Sequence, residues 1–303
     1  MRITSNITAD NAVYYIQQAR EQLDATQEKI ATGLNINTPS DDPISTRTLL
    51  DLDDKINSID QYTTNITQST TWLEVSDTAL TGMADILAQA KELVATINSG
   101  STDASDRQNV NDQLETLKKQ IVDMGNTQLG DRYIFGGFDN STAPFSNGSN
   151  DYAGDGSQIV VDISQSSSQA INITGDRLLK GTGTNPSYGT TDILQAFDDL
   201  MAAVGDSTHE SDPAAIQAGA QALEAGAEQI TNAQVDVASR LTRLESMTNL
   251  HTSMKNSLET IAGGIQNADI AKLGVELSLQ QTAFEATLSA TAKISELSLL
   301  DYL

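Results

Sequence analysis

Cysteine is absent from the 303-residue chain, so neither a disulfide nor a thiolate metal site can form. Histidine occurs only as His209 and His251, and no HxxxH spacing exists. Aromatic residues make up 4%, too few for one large aromatic-rich core. Basic residues are scarce, 17 Lys and Arg against 41 Asp and Glu. The resulting net charge of −24 argues against nucleic acid and anionic membrane as partners. No window holds 18 consecutive apolar residues, which argues against a membrane span. The opening MRITSNITADNAVYY lacks an apolar stretch and a small-residue cleavage site, so a Sec-type signal peptide is not expected. Export, if it occurs, takes another route.

What is present is heptad order. Leu52, Ile59, Ile66, Leu73, Leu80, Leu87 and Val94 are spaced by seven. A second seam reads Leu49, Ile56, Thr63, Thr70, then shifts by one to Ser76, Met83, Ala90 and Ile97, which predicts a local stammer. A matching ladder runs Leu223, Ile230, Val237, Leu244, His251, Leu258, Ile265. The two helices, about 73 and 75 Å long at 1.5 Å per residue, are natural antiparallel partners. A shorter stripe, Val110, Leu114, Leu117, Ile121 and Met124, predicts a third helix, with Ser105 or Asp106 as its cap.

The ends repeat the scheme. Ala9, Ala12, Ile16, Ala19, Leu23, Thr26 and Ile30 form one stripe. The C-terminal segment carries two: Ile270, Leu273, Leu277, Phe284 and Leu288, and then Val275, Leu279, Ala283, Ala286, Ala290, Ile294 and Leu297. The larger side chains of the first stripe suit the chain's own N-terminal helix. The smaller ones of the second allow close approach by neighbouring subunits. The N-terminal stripe offers only Ile16, Leu23 and Ile30 as large residues. At about 1.5–3 kcal/mol each they barely offset backbone ordering at about 1–2 kcal/mol per residue. Either the terminal helices are buried within a compact bundle, or they order only when neighbouring subunits surround them.

Two polar joints separate these helices from the long ones. In NTPSDDP (37–43), Ser40, Asp41 or Asp42 can cap the following helix, and Pro43 suits its first turn. GGIQNAD (263–269) is the returning joint, with Gly263 and Gly264 loosening the helix. Residues 131–192 differ in chemistry. They are rich in Gly, Ser, Asn and Asp, with strand alternation in QIVVDIS (158–164) and QAINITG (169–175). The expected fold is mainly α with a small β insert: a long antiparallel, coiled-coil-like helical bundle. The expected boundaries are 1–35 with 270–303 for the terminal region, 36–130 with 193–269 for the bundle, and 131–192 for the insert. Because the insert's strands do not supply the ladders, its removal is expected to spare the helical core.

The stretches IATGLNINTPSDDPISTRTLLDLDDKINSIDQYTTNITQSTTWLEVSDTAL (30–80) and IQNADIAKLGVELSLQQTAFEATLSATAKISELSLLDYL (265–303) resemble the terminal signatures of the bacterial flagellin family. Pro43, GDRYIFGGFDNSTAPF (130–145) and the SLLDYL terminus resemble junction members of that family more than filament subunits. The resemblance implies a flagellin-like fold, with the terminal helices as an inner layer and the β domain at the tip. It implies a structural axial component of the extracellular flagellum, a helical ring of copies joining the hook side to the filament. The alternative it leaves is a filament flagellin subunit. Implied partners are further copies of the chain, a neighbouring hook-associated junction protein and the flagellin filament. A cytoplasmic chaperone on the C-terminal region would precede type III export.

No enzyme, cofactor or metal role is expected. His251 reads as a seam residue. DYAGDGSQIVVD (151–162) puts Asp151, Asp155 and Asp162 at calcium-loop positions, but Ala153 occupies another, and turns between strands are the simpler reading.

Overall fold

The computed structural model describes residues 2–98, 103–146, 148–182, 187–205 and 212–300. Helix α1 spans Arg2–Thr32, α2 Pro43–Asn98 and α3 Ala104–Gly125. Two hairpins follow, β1 (Gln128–Leu129) with β2 (Arg132–Tyr133), and β3 (Val160–Ser164) with β4 (Ser167–Ala170). The one-turn α4 (Gly175–Leu178), α5 (Ile193–Val204), α6 (Pro213–Gln266) and α7 (Ile270–Leu300) complete the order. The fold is mainly α and flagellin-like. Among the described residues, no helix is long and apolar enough to cross a membrane. Packing divides the chain into two compact units, Met1–Ser58 with Ser253–Leu303, and Ile59–Thr252.

In the unit Ile59–Thr252 the ladders face each other. Leu73, Leu80 and Leu87 of α2, and Leu223, Ile230, Val237 and Leu244 of α6, are completely buried. Lys91 Nζ lies 3.0 Å from Glu224 Oε1, and Gln234 donates to Thr81 at 3.2 Å. Numbers rise along one helix as they fall along the other, so the two run antiparallel. The second seam of α2 differs from expectation: Ser69 and Ser76 are buried, while Thr70 is only half-buried. Their hydroxyls donate to the carbonyls of Asn65 and Trp72, at 2.7 and 2.9 Å. A serine satisfied by its own helix occupies a seam at little cost, so the seam runs through Ser69, Ser76 and Met83, and the shift falls one heptad earlier than expected, after Thr63. Helix α3 is capped at Asp103, two to three residues before the expected cap, with no side-chain capping bond.

The insert shares this core. Ile134, Phe135, Phe145, Ile163, Ile173 and Leu178 belong to the same buried cluster as Leu80 and Leu223. The 130–145 motif is the turn that seats two of these rings. Gly137 has φ +76°, and a Cβ there would stand 2.0 Å from Asp155 Oδ1. That carboxylate accepts the Phe138 N–H at 2.7 Å. Polar side chains of α6 then hold the insert from below. Arg240 donates to the carbonyls of Ala170 and Asn172 at 3.1 and 3.0 Å, and Gln229 to that of Leu178 at 2.8 Å. The Tyr188 hydroxyl donates to Asp236 at 2.7 Å; burial, then that carboxylate, pushes its pKa well above the usual phenol range. His251, buried on the ladder, places Nε2 2.7 Å from the Ile163 carbonyl and stacks on Tyr62. Strands β3 and β4 are therefore tied to the helices by backbone acceptors that a pattern of apolar residues does not reveal. The expectation that the insert can be removed without harm to the helical core does not survive this packing.

Candidate assembly site: the joints and the terminal helices

Helix α1 ends at Thr32, and Gly33, at φ +74°, donates its N–H to the Lys29 carbonyl at 3.0 Å. This is a left-handed C-cap of the kind glycine permits. The chain then extends, and Leu34 faces Asn267 in an isolated antiparallel bridge. Asn35 N–H donates to the Gln266 carbonyl at 2.7 Å, and Ala268 N–H to the Gly33 carbonyl at 2.9 Å. The two joints are therefore bonded to each other. Asp269 starts α7 by accepting the Lys272 N–H at 3.1 Å.

Asp41 and Asp42 divide the work expected of SDDP. Asp42 is the cap of α2, since its Oδ1 accepts the N–H groups of Ile44 and Ser45, each at 3.1 Å. Asp41 instead gathers the loop, accepting the N–H groups of Asn37 and Thr38 at 2.9 and 2.8 Å. Both carboxyls are held below the usual carboxylate range. The Thr38 N–H is the main cause for Asp41, and the Ser45 hydroxyl for Asp42. Gly263 and Gly264 do not loosen α6, which stays helical to Gln266. Two glycines cost about 1 kcal/mol each in a helix interior, a penalty that the continued hydrogen-bond ladder tolerates.

Helices α1 and α7 pack together. With the end of α1 tied to the start of α7, they run antiparallel. Ile16, Leu23 and Ile30 are half-buried on α1. On α7, Leu273 is buried, Leu277 and Phe284 are half-buried, and Leu288 is 43% exposed. The other stripe is open: Val275 and Leu279 are 65% and 67% exposed, and Ala286 and Ala290 are exposed as well. The side chains of Ile294 and Leu297 lie outside the described residues. Val13, Tyr14 and Tyr15, off the expected α1 stripe, are also exposed, and the two tyrosine rings meet edge to face at 5.8 Å. The N-terminal stripe pattern did not include them, because helical periodicity finds the face that packs within the chain and ignores the opposite one.

The balance of apolar surface distinguishes this unit. Among the described residues, its buried hydrophobics are only Ala12, Ile36, Leu52 and Leu273. It nevertheless carries twelve of the sixteen exposed large hydrophobics. Exposed apolar surface concentrated in one region marks an interaction surface. No charged constellation competes for the role. Among the described residues, no group of three His, Asp or Glu stands close enough to hold a metal ion. Asp155, part of the calcium-like pattern, is committed to the backbone of Phe138 and Ser157. His209 lies outside the described residues.

Paired terminal helices, long antiparallel helices and a small insert are the layout of a flagellin-like fold. Residues 3–139 match the model of the bacterial flagellin N-terminal helical region. The chain is similar to flagellar hook-associated protein 3 of Escherichia coli (strain K12), 25% identical over 285 residues that cover 90% of each chain. It is also 22% identical to flagellin of Bacillus subtilis (strain 168) over 302 residues, 98% of this chain and 97% of that one. The crystal structure of flagellar hook associated protein-3 from Legionella pneumophila shares the fold, with a TM-score of 0.61 and 16% identity over 71% of this chain and 98% of that one.

Proposed function

We propose that the chain is a structural axial subunit of the bacterial flagellum, joining the hook-side zone to the filament as a ring of copies. One observation carries the reading. A chain similar over 90% of its length to hook-associated protein 3 leaves an apolar face of its terminal helix pair open to solvent. Ile16, Leu23 and Ile30 pair with Leu273, Leu277, Phe284 and Leu288 inside the subunit. Val275, Leu279, Ala286, Ala290 and Ile294 meet neighbouring copies. The contacts are heterologous, which suits a ring or helical layer. The adjoining partners are another hook-associated junction protein on one side and flagellin on the other. Export through the flagellar type III apparatus, with a chaperone on the C-terminal helix, delivers the subunit. No catalytic step, cofactor or metal enters this role.

Deletion of the gene and complementation test the reading. Hooks without filaments, and monomeric flagellin in the medium, are expected from the deletion strain. Hooks with every junction part in place would show instead that the chain is the filament subunit, the reading favoured by its end-to-end similarity to flagellin. The complementing variant Ala286→Glu with Ala290→Glu sharpens the test. Both positions are exposed, so melting and secretion should match the unaltered chain while incorporation at the junction fails. Normal filaments on this variant would remove the α7 face from the interface.

A further inference from the structure

We propose that the paired joints form a clasp that makes α1 and α7 order as a single element. The argument starts from what each helix lacks. Among the described residues, neither α1 nor α7 has a buried stripe sufficient to hold it alone, since Ala12 and Leu273 are the only hydrophobics buried there. Each is also separated from α2 or α6 by a break in helical hydrogen bonding, so helix propagation does not carry order across the joint. What crosses instead is the Leu34–Asn267 bridge, flanked by Asn35 N–H to Gln266 and Ala268 N–H to Gly33.

Leu34 and Asn267 do not bond each other; their neighbours do. They are the non-hydrogen-bonded pair of an antiparallel ladder, whose Cα atoms lie about 4.5 Å apart. Closing the bridge sets the register of α1 against α7, and docking of the helices holds the bridge closed. Buried Ile36 and the Lys29 ammonium, 3.2 Å from Asn35 Oδ1, secure the same turn. Loss of either helix leaves the other without its apolar partner and the bridge without its second strand. The pair therefore gains or loses order together.

The chain's lack of cysteine permits a clean test. Leu34→Cys with Asn267→Cys creates a single thiol pair at a spacing that a disulfide spans, about 4.4–6.8 Å between Cα atoms. Hydrogen exchange is followed in the purified full-length chain, oxidised and reduced. The disulfide should form readily and slow exchange in both α1 and α7 by a similar factor, about tenfold or more. A second variant approaches from the other direction. Gly33→Ala meets nothing within 4 Å and adds only backbone strain at φ +74°, so exchange should quicken in α7 as well as in α1. A disulfide that fails to form, or protection that changes in one helix alone, would overturn the proposal. Since the readout is the isolated chain, its outcome stands apart from the flagellar role tested by complementation.

Discussion

Two adjacent aspartates at the first joint do different work, because a carboxylate bonds whichever N–H groups the local backbone presents. Asp42 faces the first turn of α2 and Asp41 faces the turn before it. Their folded-state pKa values lie below the unfolded ones. The stabilisation is therefore complete above the unfolded value, about 3.9, and is lost as pH falls through the folded values. Protection of the Asn37, Thr38, Ile44 and Ser45 amides, taken relative to their intrinsic exchange rates, should fall below about pH 4, ahead of protection in the buried ladder. Asp42→Ala should quicken Ile44 and Ser45 at neutral pH and leave Asn37 and Thr38 unchanged. Equal quickening of all four would show that the two carboxylates act as one group.

At the scale of elements, the long helices are held by their seam. Leu80 has no exposed surface and sits among Leu73, Met83 and Leu87. Leu80→Asp would bury an unpaired charge and leave a gap, at a cost of about 3–5 kcal/mol. Urea unfolding followed by circular dichroism measures this loss, and a change below about 1 kcal/mol would mean that the seam opens there. The seam was legible as a period in the sequence. Buried Ser69 was not, because the sequence shows a polar residue and not the Asn65 carbonyl four residues earlier that satisfies it. Helix α5 leaves no such period in the sequence. Its twelve residues, with Ile193, Leu194, Phe197 and Leu200 buried, follow a loop-rich stretch and extend no heptad.

For the molecule as a whole, the uneven distribution of the core gives two expectations. Limited proteolysis of the free chain should remove residues from both ends and leave a fragment that retains Ile59–Thr252, the unit that holds nearly all the buried apolar side chains. Ends that resist protease as long as the ladder would contradict the need for partners. Deleting residues 131–192 should destabilise the remaining helices strongly. Phe135, Phe145 and Ile163 fill their core, and Arg240, Gln229 and His251 lose buried acceptors when the insert goes. A thermal melt unchanged by the deletion would restore the insert to the status of an independent appendage.

The sequence by itself determined the long and terminal helices, the antiparallel pairing of the long ones and the terminal stripes, because each rests on a period that local backbone geometry imposes on apolar residues. Leu73, Leu80 and Leu87 announce a buried face wherever they are placed, and Leu273, Leu277 and Phe284 do so on α7. Only the tertiary structure decided which polar residues would be buried, and with what. Gln229 finds Leu178, Arg240 finds Ala170, and His251 finds Ile163 across separations of tens of residues. The reason is physical. Apolar burial is non-directional and follows from spacing along one helix, whereas a hydrogen bond needs a particular donor to meet a particular acceptor, and the complete fold brings them together.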